Sequence, residues 1–461
     1  MILSQMCQVN QIIISHFCSI NLKKIVKMTS SKKVIKLALT IQFLFLGLVS
    51  CAQNIKIEPS IHKNIQEQTN KIFDSLVTMR RDFHMNPEVS GKEKSTSEKI
   101  AEYLLSLGLD VKIDIGGYGV VGILNTGKKG KSIAWRADID AMPSDIPDVV
   151  DFQSKNVGVR HICGHDVNTT IALGIANVLV SQKETLTGTV YFIFQPSEET
   201  YTGAKAMIDD GLFKIISPDE IYGSHIAPMA TTMIATKPEW MFADYKMLEI
   251  SFKSSSENES ILAYCKELIS SVQNVDPSSK FWNPESLSDP KIGLTNPNTI
   301  FNNYTFINQD SFNIAQTENE ISMKAYIGSS IEKKFDSLIP QLEQQIKNSK
   351  FAKKLIDVKY TYERANLYND KNLTKNSLAH ISQIYGAENI TLLYGVMADY
   401  RGDDFAYYQE KVPGVYFYLG GSNFEKGIIS MPHSPNFEVD EDCIKTGVNY
   451  FSSLIIERLF N

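Results

Sequence analysis

This sequence predicts an α/β fold with a smaller domain inserted into a larger one, and three observations predict it. Short apolar runs alternate with helical patterns between residues 95 and 228. Near residue 245 the order changes to β-α-β-β-α-β, and after about residue 366 the first rhythm returns. Strands alternating with helices build a helix-layered sheet, and β-α-β-β-α-β is the order of a ferredoxin-like sandwich. The expected organisation is therefore one α/β domain in two parts, residues 60–244 and 366–461, interrupted by a ferredoxin-like (βαββαβ) lid at 245–365.

The elements follow in chain order. "STSEKIAEYLLSL" (95–107) places Ile100, Tyr103, Leu104 and Leu107 on one helical face and stops at Gly108. "VVGILN" (120–125), "SIAWRADID" (132–140), "TVYFIFQP" (189–196) and "EIYGSHIAP" (220–228) read as strands, with helical patterns at 169–182 and 203–213 between them. In the lid, "KMLEISFK" is a strand, and "ESILAYCKELISSVQ" is a helix burying Ile261, Cys265, Leu268 and Val272. "YTFINQDSFNI" and "EISMKAYI" alternate as strands, and "IEKKFDSLIPQLEQQIK" is a helix that Pro340 should kink. "LIDVKYTYE" closes the lid, "GVYFYLG" (414–420) returns to the first sheet, and a last helix covers 441–459.

Composition narrows the class. The 461 residues are 43% hydrophobic and 21% charged, with a net charge of -6 and no dense Lys/Arg block. That balance fits a globular chain and excludes a nucleic-acid partner. Residues 1–51 stand apart. From Met28, "MTSSKKVIKLALTIQFLFLGLVSC" has a basic start (Lys32, Lys33, Lys36), an apolar run and a small-residue ending. This is an export signal, too short and wrongly flanked for a membrane span. "LVSC" resembles the lipobox of bacterial lipoproteins, in which Cys51 is lipidated and becomes the first mature residue. The alternative is a plain secretory signal cut near "CAQN", giving a soluble periplasmic protein. The expectation is an exported protein facing the periplasm or cell exterior, touching the membrane only through a lipid on Cys51. Residues 1–27 read as an extension upstream of the true start.

Beyond Cys51 only Cys163, Cys265 and Cys443 occur, too few and too scattered for a disulfide framework. Cys163 needs another reason to exist. It lies in "HICGHD" (161–166), where Cys163 and His165 flank a glycine at the entry to the helical pattern at 169–182. A thiolate and an imidazole suit zinc-like ions, but alone the stretch reads equally as a redox thiol or a structural turn. "QPSEET" sets Glu198 and Glu199 side by side where a strand ends, the edge at which α/β sheets place their sites. One can bind metal while the other handles a proton; a solvated acidic loop is the alternative. His225 ends "GSHIAP", His433 sits in the Pro-flanked "SMPHSPNF", and Asp138 and Asp140 close "AWRADIDAMP" on one strand face. Cys163, His165, Glu199, His225 and His433 together offer N, S and O donors for two divalent ions, and three of the chain's eight histidines are in this set.

These motifs resemble, in order, the aminoacylase/carboxypeptidase metallopeptidases, in their amidohydrolase branch of N-acyl-amino-acid, indole-acetyl-amino-acid and hippurate hydrolases. The likeness runs through "RRDFHMNPEVSGKEKSTSEKIAEYL" (80–104), "WRADIDAMP" (135–143), "SKNVGVRHICGHD" (154–166), "GTVYFIFQPSEETYTGAKAMIDDGLF" (188–213), "GDDFAYYQEKVPGVYFYLGG" (402–421) and "HSPNFEVDED" (433–442). It implies a dinuclear-metal aminopeptidase-like catalytic domain. Cys163, His165, Glu199, His225 and His433 would ligate two divalent ions, zinc or manganese. Glu198 would be the general base, Asp140 would orient a ligand, and His161 and Asp166 would support the ligands from behind. The implied substrate is a small N-acyl amino acid or dipeptide, and a homodimer through the lid is the family's habit. Asn168 stands where a histidine is common, and Asp403-Asp404 where Glu-Asp is usual.

The lid departs from that pattern. The loop with a substrate-binding histidine after the first lid strand is deleted, and no histidine occurs between His225 and His380. A remnant of the Asn-Val-Ile-Pro segment survives as Asn313-Ile314-Ala315-Gln316. The carboxylate-gripping arginine falls near Tyr326, and no arginine occurs between Arg160 and Arg364. Lys253 or Lys324 could take over that grip. Two functions are therefore open: a metal-dependent amidohydrolase with an altered substrate grip, or a catalytically silent binding lipoprotein that kept the fold.

Overall fold

The computed structural model describes residues 59–398 and 402–460; the expected export signal and Cys51 lie outside them. The chain enters through helix α1 (Pro59–Met85), which the sequence reading passed over. Its buried side is Ile61, Ile65, Thr69, Leu76, Arg80 and Phe83. The stripe has helical spacing, but Thr69 and Arg80 interrupt its apolar character. Next come α2 (Lys94–Ser106), β1 (Asp110–Ile115), β2 (Gly119–Asn125), β3 (Ser132–Asp138), α3 (His165–Ser181), β4 (Thr189–Gln195), α4 (Gly203–Asp209), β5 (Glu220–Ala230) and β6 (Ile234–Thr236). Helix α3 begins four residues earlier than its apolar pattern, so His165 belongs to its first turn. Gly164 precedes it at φ 92°, a conformation that glycine adopts without strain. The pattern at 203–213 divides at Gly211 into α4 and a four-residue helix, Leu212–Ile215.

The lid is β7 (Asp244–Lys253), α5 (Asn258–Ser270), β8 (Thr305–Ile307), β9 (Asn313–Gln316), β10 (Glu320–Ser329), α6 (Lys334–Lys347) and β11 (Leu355–Glu363). Its sheet runs β8-β10-β7-β11, with β9 also paired to β10, all antiparallel. This is the ferredoxin-like strand order. Leu248, Ile250 and Phe252 of β7 pack against Ile261, Cys265 and Leu268 of α5 and Leu338, Leu342 and Ile346 of α6. The expected strand 304–314 is split by a short turn of 3-10 helix at Gln309–Ser311, and α6 continues through Pro340. Between α5 and β8 lies a segment with no counterpart in the sequence reading. Its Phe281, Phe301 and Tyr304 join Tyr245, Phe306 and Val396 in a separate aromatic core at the junction of lid and larger domain.

The chain returns through α7 (Lys371–Tyr385), β12 (Ile390–Leu392), β13 (Gly414–Ser422) and α8 (Asp442–Phe460). Among the described residues the larger sheet has eight strands in the order β1-β2-β4-β3-β5-β13-β6-β12. The central pairs β4/β3, β3/β5 and β5/β13 are parallel. A core of Trp135, Phe192, Phe194, Ile171, Phe417 and Phe451 joins one sheet face to α1, α2, α3 and α8. A second core around Ile193, Met207, Phe405 and Tyr408 covers the other face. No helix among the described residues is long and apolar enough to cross a membrane.

Candidate metal centre

The carboxyl ends of β3, β4 and β5 converge on one place, the edge where parallel sheets build sites. Cys163 arrives from the loop entering α3 and His165 from that helix's first turn, Glu198 and Glu199 from the loop leaving β4, and His433 from the loop before α8. His225 is not at the end of its strand, as its sequence suggested. β5 extends to Ala230, but its partner β3 pairs only as far as Gly223, so His225 lies beyond the edge of its neighbour.

Ligand-type atoms gather in overlapping groups: Cys163 with His165 and His225, Cys163 with Glu199 and His433, and His165 with Glu198 and Glu199. The Cys163 Sγ lies 3.2 Å from His225 Nε2 and 3.1 Å from His433 Nε2. His433 Nε2 is 3.4 Å from Glu199 Oε1, and His165 Nε2 is 3.8 Å from both Glu198 Oε2 and Glu199 Oε1. Cys163, His165 and Glu199 each belong to two of these groups, which makes them one continuous cluster.

The surroundings set the chemistry of these atoms. His165 Nδ1 donates to the Asp140 carbonyl at 2.8 Å and lies 3.2 Å from Asp140 Oδ1; His225 Nδ1 donates to the Ile226 carbonyl at 2.8 Å. Each imidazole therefore commits Nδ1 to a carbonyl and turns Nε2 toward the cluster, the orientation in which metal-binding histidines are held. His165 Nε2 and Glu199 Oε1 are buried without a hydrogen-bond partner. Burial drives the Cys163 thiol well above its ordinary value, with Glu199 and Glu198 adding to the effect against His165. Burial and then Asp403 push the Glu198 carboxyl well up, with His165 opposing. Buried, acid-rich and with orphaned donors, the cluster fits divalent cations, which deprotonate a coordinating thiol outright.

The supporting residues fall into two kinds. Asp140 touches the cluster's scaffold directly: its Oδ2 accepts from the Glu199 amide at 3.1 Å and from Ser90 Oγ at 2.6 Å. Asp138, the last residue of β3, only approaches the cluster, its Oδ1 3.9 Å from His165 Nε2. It pairs instead with Arg136 at 2.6 Å and accepts from Asn168 Nδ2 at 2.8 Å. Asp166 faces away, held by Arg80 at 2.9 Å and His84 at 2.8 Å, and thereby anchors the start of α3. His161 is buried with both ring nitrogens unpaired, and burial lowers its pKa to about 4, so its ring is neutral.

Sequence reasoning missed the buried Arg136. It lies within 3.1 Å of Asp138, Asp403 and Asp404 and donates to Gln195 Oε1 at 2.8 Å. The cue was available: "WRADID" places an arginine two residues before an aspartate at the end of a strand, and "GDDF" supplies two adjacent aspartates. Asp404 Oδ2 accepts from the Ala204 amide and Glu93 Oε1 from the Ser197 amide, both at 2.8 Å. Together with Asp140 they hold the loop carrying Glu198 and Glu199. That loop is strained, with Ser197 at φ 56° and Tyr201 at φ 58°; His433 is likewise at φ 61°. Such backbones cost about 1–3 kcal/mol each and persist where surrounding structure enforces them.

Lys324 is 3.4 Å from Glu249, and Lys253 is exposed at the end of β7. Tyr326 lies across from Met247 and in edge contact with Tyr362 at 6.0 Å.

The chain is similar to known proteins along most of its length. Residues 134–457 match the family model described as Peptidase family M20/M25/M40. The chain is 27% identical over 452 residues to IAA-amino acid hydrolase ILR1-like 5 of Arabidopsis thaliana, covering 93% of this chain and 97% of that protein. It is 29% identical over 412 residues to thermostable carboxypeptidase 2 of Saccharolobus solfataricus, covering 86% and 98%. Among solved structures, the Bacillus subtilis YXEP protein, described as a dinuclear metal binding peptidase, superposes with a TM-score of 0.67 at 24% identity, covering 85% of this chain and 99% of that one.

Proposed function

The chain belongs to peptidase family M20/M25/M40, and from that premise we propose that it cleaves the amide bond of a small N-acyl amino acid or dipeptide, with Glu198 as general base. Cys163, His165, Glu199, His225 and His433 hold two divalent ions in this reading, zinc or manganese by the mix of sulfur, nitrogen and oxygen donors. Ions bound there lower the pKa of a water and polarise the substrate carbonyl. Glu198 accepts the proton of that water as it attacks and delivers it to the departing amine. Asp140 keeps His165 and the Glu199 backbone in place, and the Arg136 network holds Asp403 and Asp404 behind Glu198.

One observation carries the reading. Two histidines whose Nδ1 atoms are committed to backbone carbonyls aim their Nε2 atoms at a shared cysteine, with a buried glutamate beside them. A binding protein that had shed catalysis has no use for Glu198 in addition to five donors. We further propose that the mature protein is exported and tethered by a lipid on Cys51.

The test is metal analysis of the purified protein, followed by a screen of N-acyl amino acids and dipeptides with Glu198→Gln as control. The expected result is two ions per chain and turnover lowered by about 10²–10⁴-fold in the variant. Near-normal turnover by Glu198→Gln overturns the assignment. Two ions with no Glu198-dependent turnover on any compound favours the binding lipoprotein.

A further inference from the structure

The lid rejoins the larger domain at Arg364 and Ala365, directly after β11, and two tyrosines meet it there. Tyr201 belongs to the strained loop just past Glu199, and its amide closes a turn onto the Glu198 carbonyl at 2.7 Å. Its Oη lies 3.2 Å from the Ala365 carbonyl and 3.0 Å from the Asp403 carbonyl, donating to the two in a forked arrangement. Tyr407, in the short helix after Asp403-Asp404, packs edge-on against the Tyr201 ring at 6.2 Å. The guanidinium of Arg364 caps the other side, 4.6 Å from the Tyr201 ring centre. Gly402 completes the packing, since a Cβ there would fall 2.7 Å from the Tyr201 Oη.

A tyrosine at φ 58° is costly where a glycine would be free, so its side chain has work that outweighs the strain. We propose that Tyr201, backed by the Tyr407 ring, clasps the Ala365 carbonyl and so ties the lid's return connection to the two segments bearing Glu198-Glu199 and Asp403-Asp404, which makes Tyr201 a positioning residue for hydrolysis. The inference rests on the proposed roles of Glu198 and Glu199. Through it the orientation of the lid and the placement of the hydrolytic carboxylates become one mechanical unit: a shift at Ala365 pulls on the Tyr201 Oη, and the turn from Tyr201 to Glu198 passes it on.

The experiment uses the metal-loaded full chain and Tyr201→Phe, which removes only the hydroxyl. Loss of one hydrogen bond of ordinary strength corresponds to about a tenfold change. Hydrogen exchange should therefore quicken about tenfold in both the 197–204 and 363–367 segments, with kcat down by a similar factor, KM within about twofold and metal content unchanged. Unchanged exchange at 363–367, or a wild-type kcat, overturns the proposal. Glu198→Gln run in parallel separates the two failures. If that variant stays active the reading of the site falls, and the exchange of the two segments alone still decides the clasp.

Discussion

Replacing Asp140 by asparagine is an almost isosteric change, yet the contacts of this residue leave no orientation in which asparagine fits. Asp140 Oδ2 accepts from the Glu199 amide and Ser90, while Oδ1 lies 3.2 Å from the protonated Nδ1 of His165. The Ser90 hydroxyl can reverse its role, but the Glu199 amide and the His165 Nδ1 only donate. An asparagine amide group must therefore oppose one of them, donor against donor. The lost interaction is charge-assisted and buried, worth about 1.5–3 kcal/mol, or about 10- to 100-fold in the stability of whatever the two side chains hold. The His165 tautomer survives through the Asp140 carbonyl at 2.8 Å, so the histidine still ligates from a loosened position. Competition with a chromophoric chelator measures the ion affinity directly, without knowledge of the substrate. Affinity should fall by that factor in Asp140→Asn, in line with residues that orient metal ligands elsewhere. Affinity within twofold of wild type would refute the role given to Asp140, and with it the idea that the cluster is an ion site shaped from behind.

Other perturbations reach the same framework from different sides. Gly203→Ala sets a Cβ 1.6 Å from the Pro196 carbonyl, so the loop with Glu198 must shift; expect turnover down at least about tenfold, read by steady-state kinetics on a confirmed substrate. Arg136→Met removes a buried guanidinium from among three carboxylates, which should destabilise the protein by about 3–5 kcal/mol in denaturant titration. Phe281→Ala in the segment between α5 and β8 empties the aromatic core at the junction and should cost about 3–5 kcal/mol, with a separate early transition if the lid loosens first. The pH dependence has a definite sign at Asp148. Burial works against its carboxylate, but hydrogen bonds from His84, the Ser154 amide and Arg160 outweigh it and hold its pKa below the usual value. Its stabilisation is thus complete above about pH 4 and is lost as pH falls further. The difference in urea midpoint between wild type and Asp148→Asn should shrink between pH 6 and pH 3; a constant difference contradicts the assignment.

Much of this molecule is legible in its sequence because its signals are local. The strands at 120–125 and 189–195 are apolar runs bounded by turns, and the alternation in β7 and β10 announces a sheet with one covered face. The ion cluster was readable for another reason: thiol, imidazole and carboxylate groups at strand ends have few other uses in such numbers. What the sequence concealed depends on contacts between distant segments. Helix α1 hid behind Thr69, whose hydroxyl donates to the Ile65 carbonyl one turn back, and Arg80, which Asp166 and Glu441 hold from distant segments. The early start of α3 depends on Gly164 at positive φ rather than on apolar spacing. Arg136 looked like any strand residue until Asp403 and Asp404 arrived from the far end of the chain. The segment between α5 and β8 has no periodicity because its aromatic residues pack irregularly against Tyr245 and Val396.

The order of β-strands in the larger sheet sets a schedule for synthesis. β13 lies between β5 and β6, yet it is made only after the whole lid and α7, and His433 follows later still. A growing chain can pair β1 to β5 and finish its lid, but the sheet keeps a gap at its centre and the ion cluster lacks a donor until the last few dozen residues appear. Such long-range pairing makes folding slow, and it also means that a chain ending before β13 and His433 cannot bring the five donors together. On the proposed reading, activity waits for the C-terminal segment.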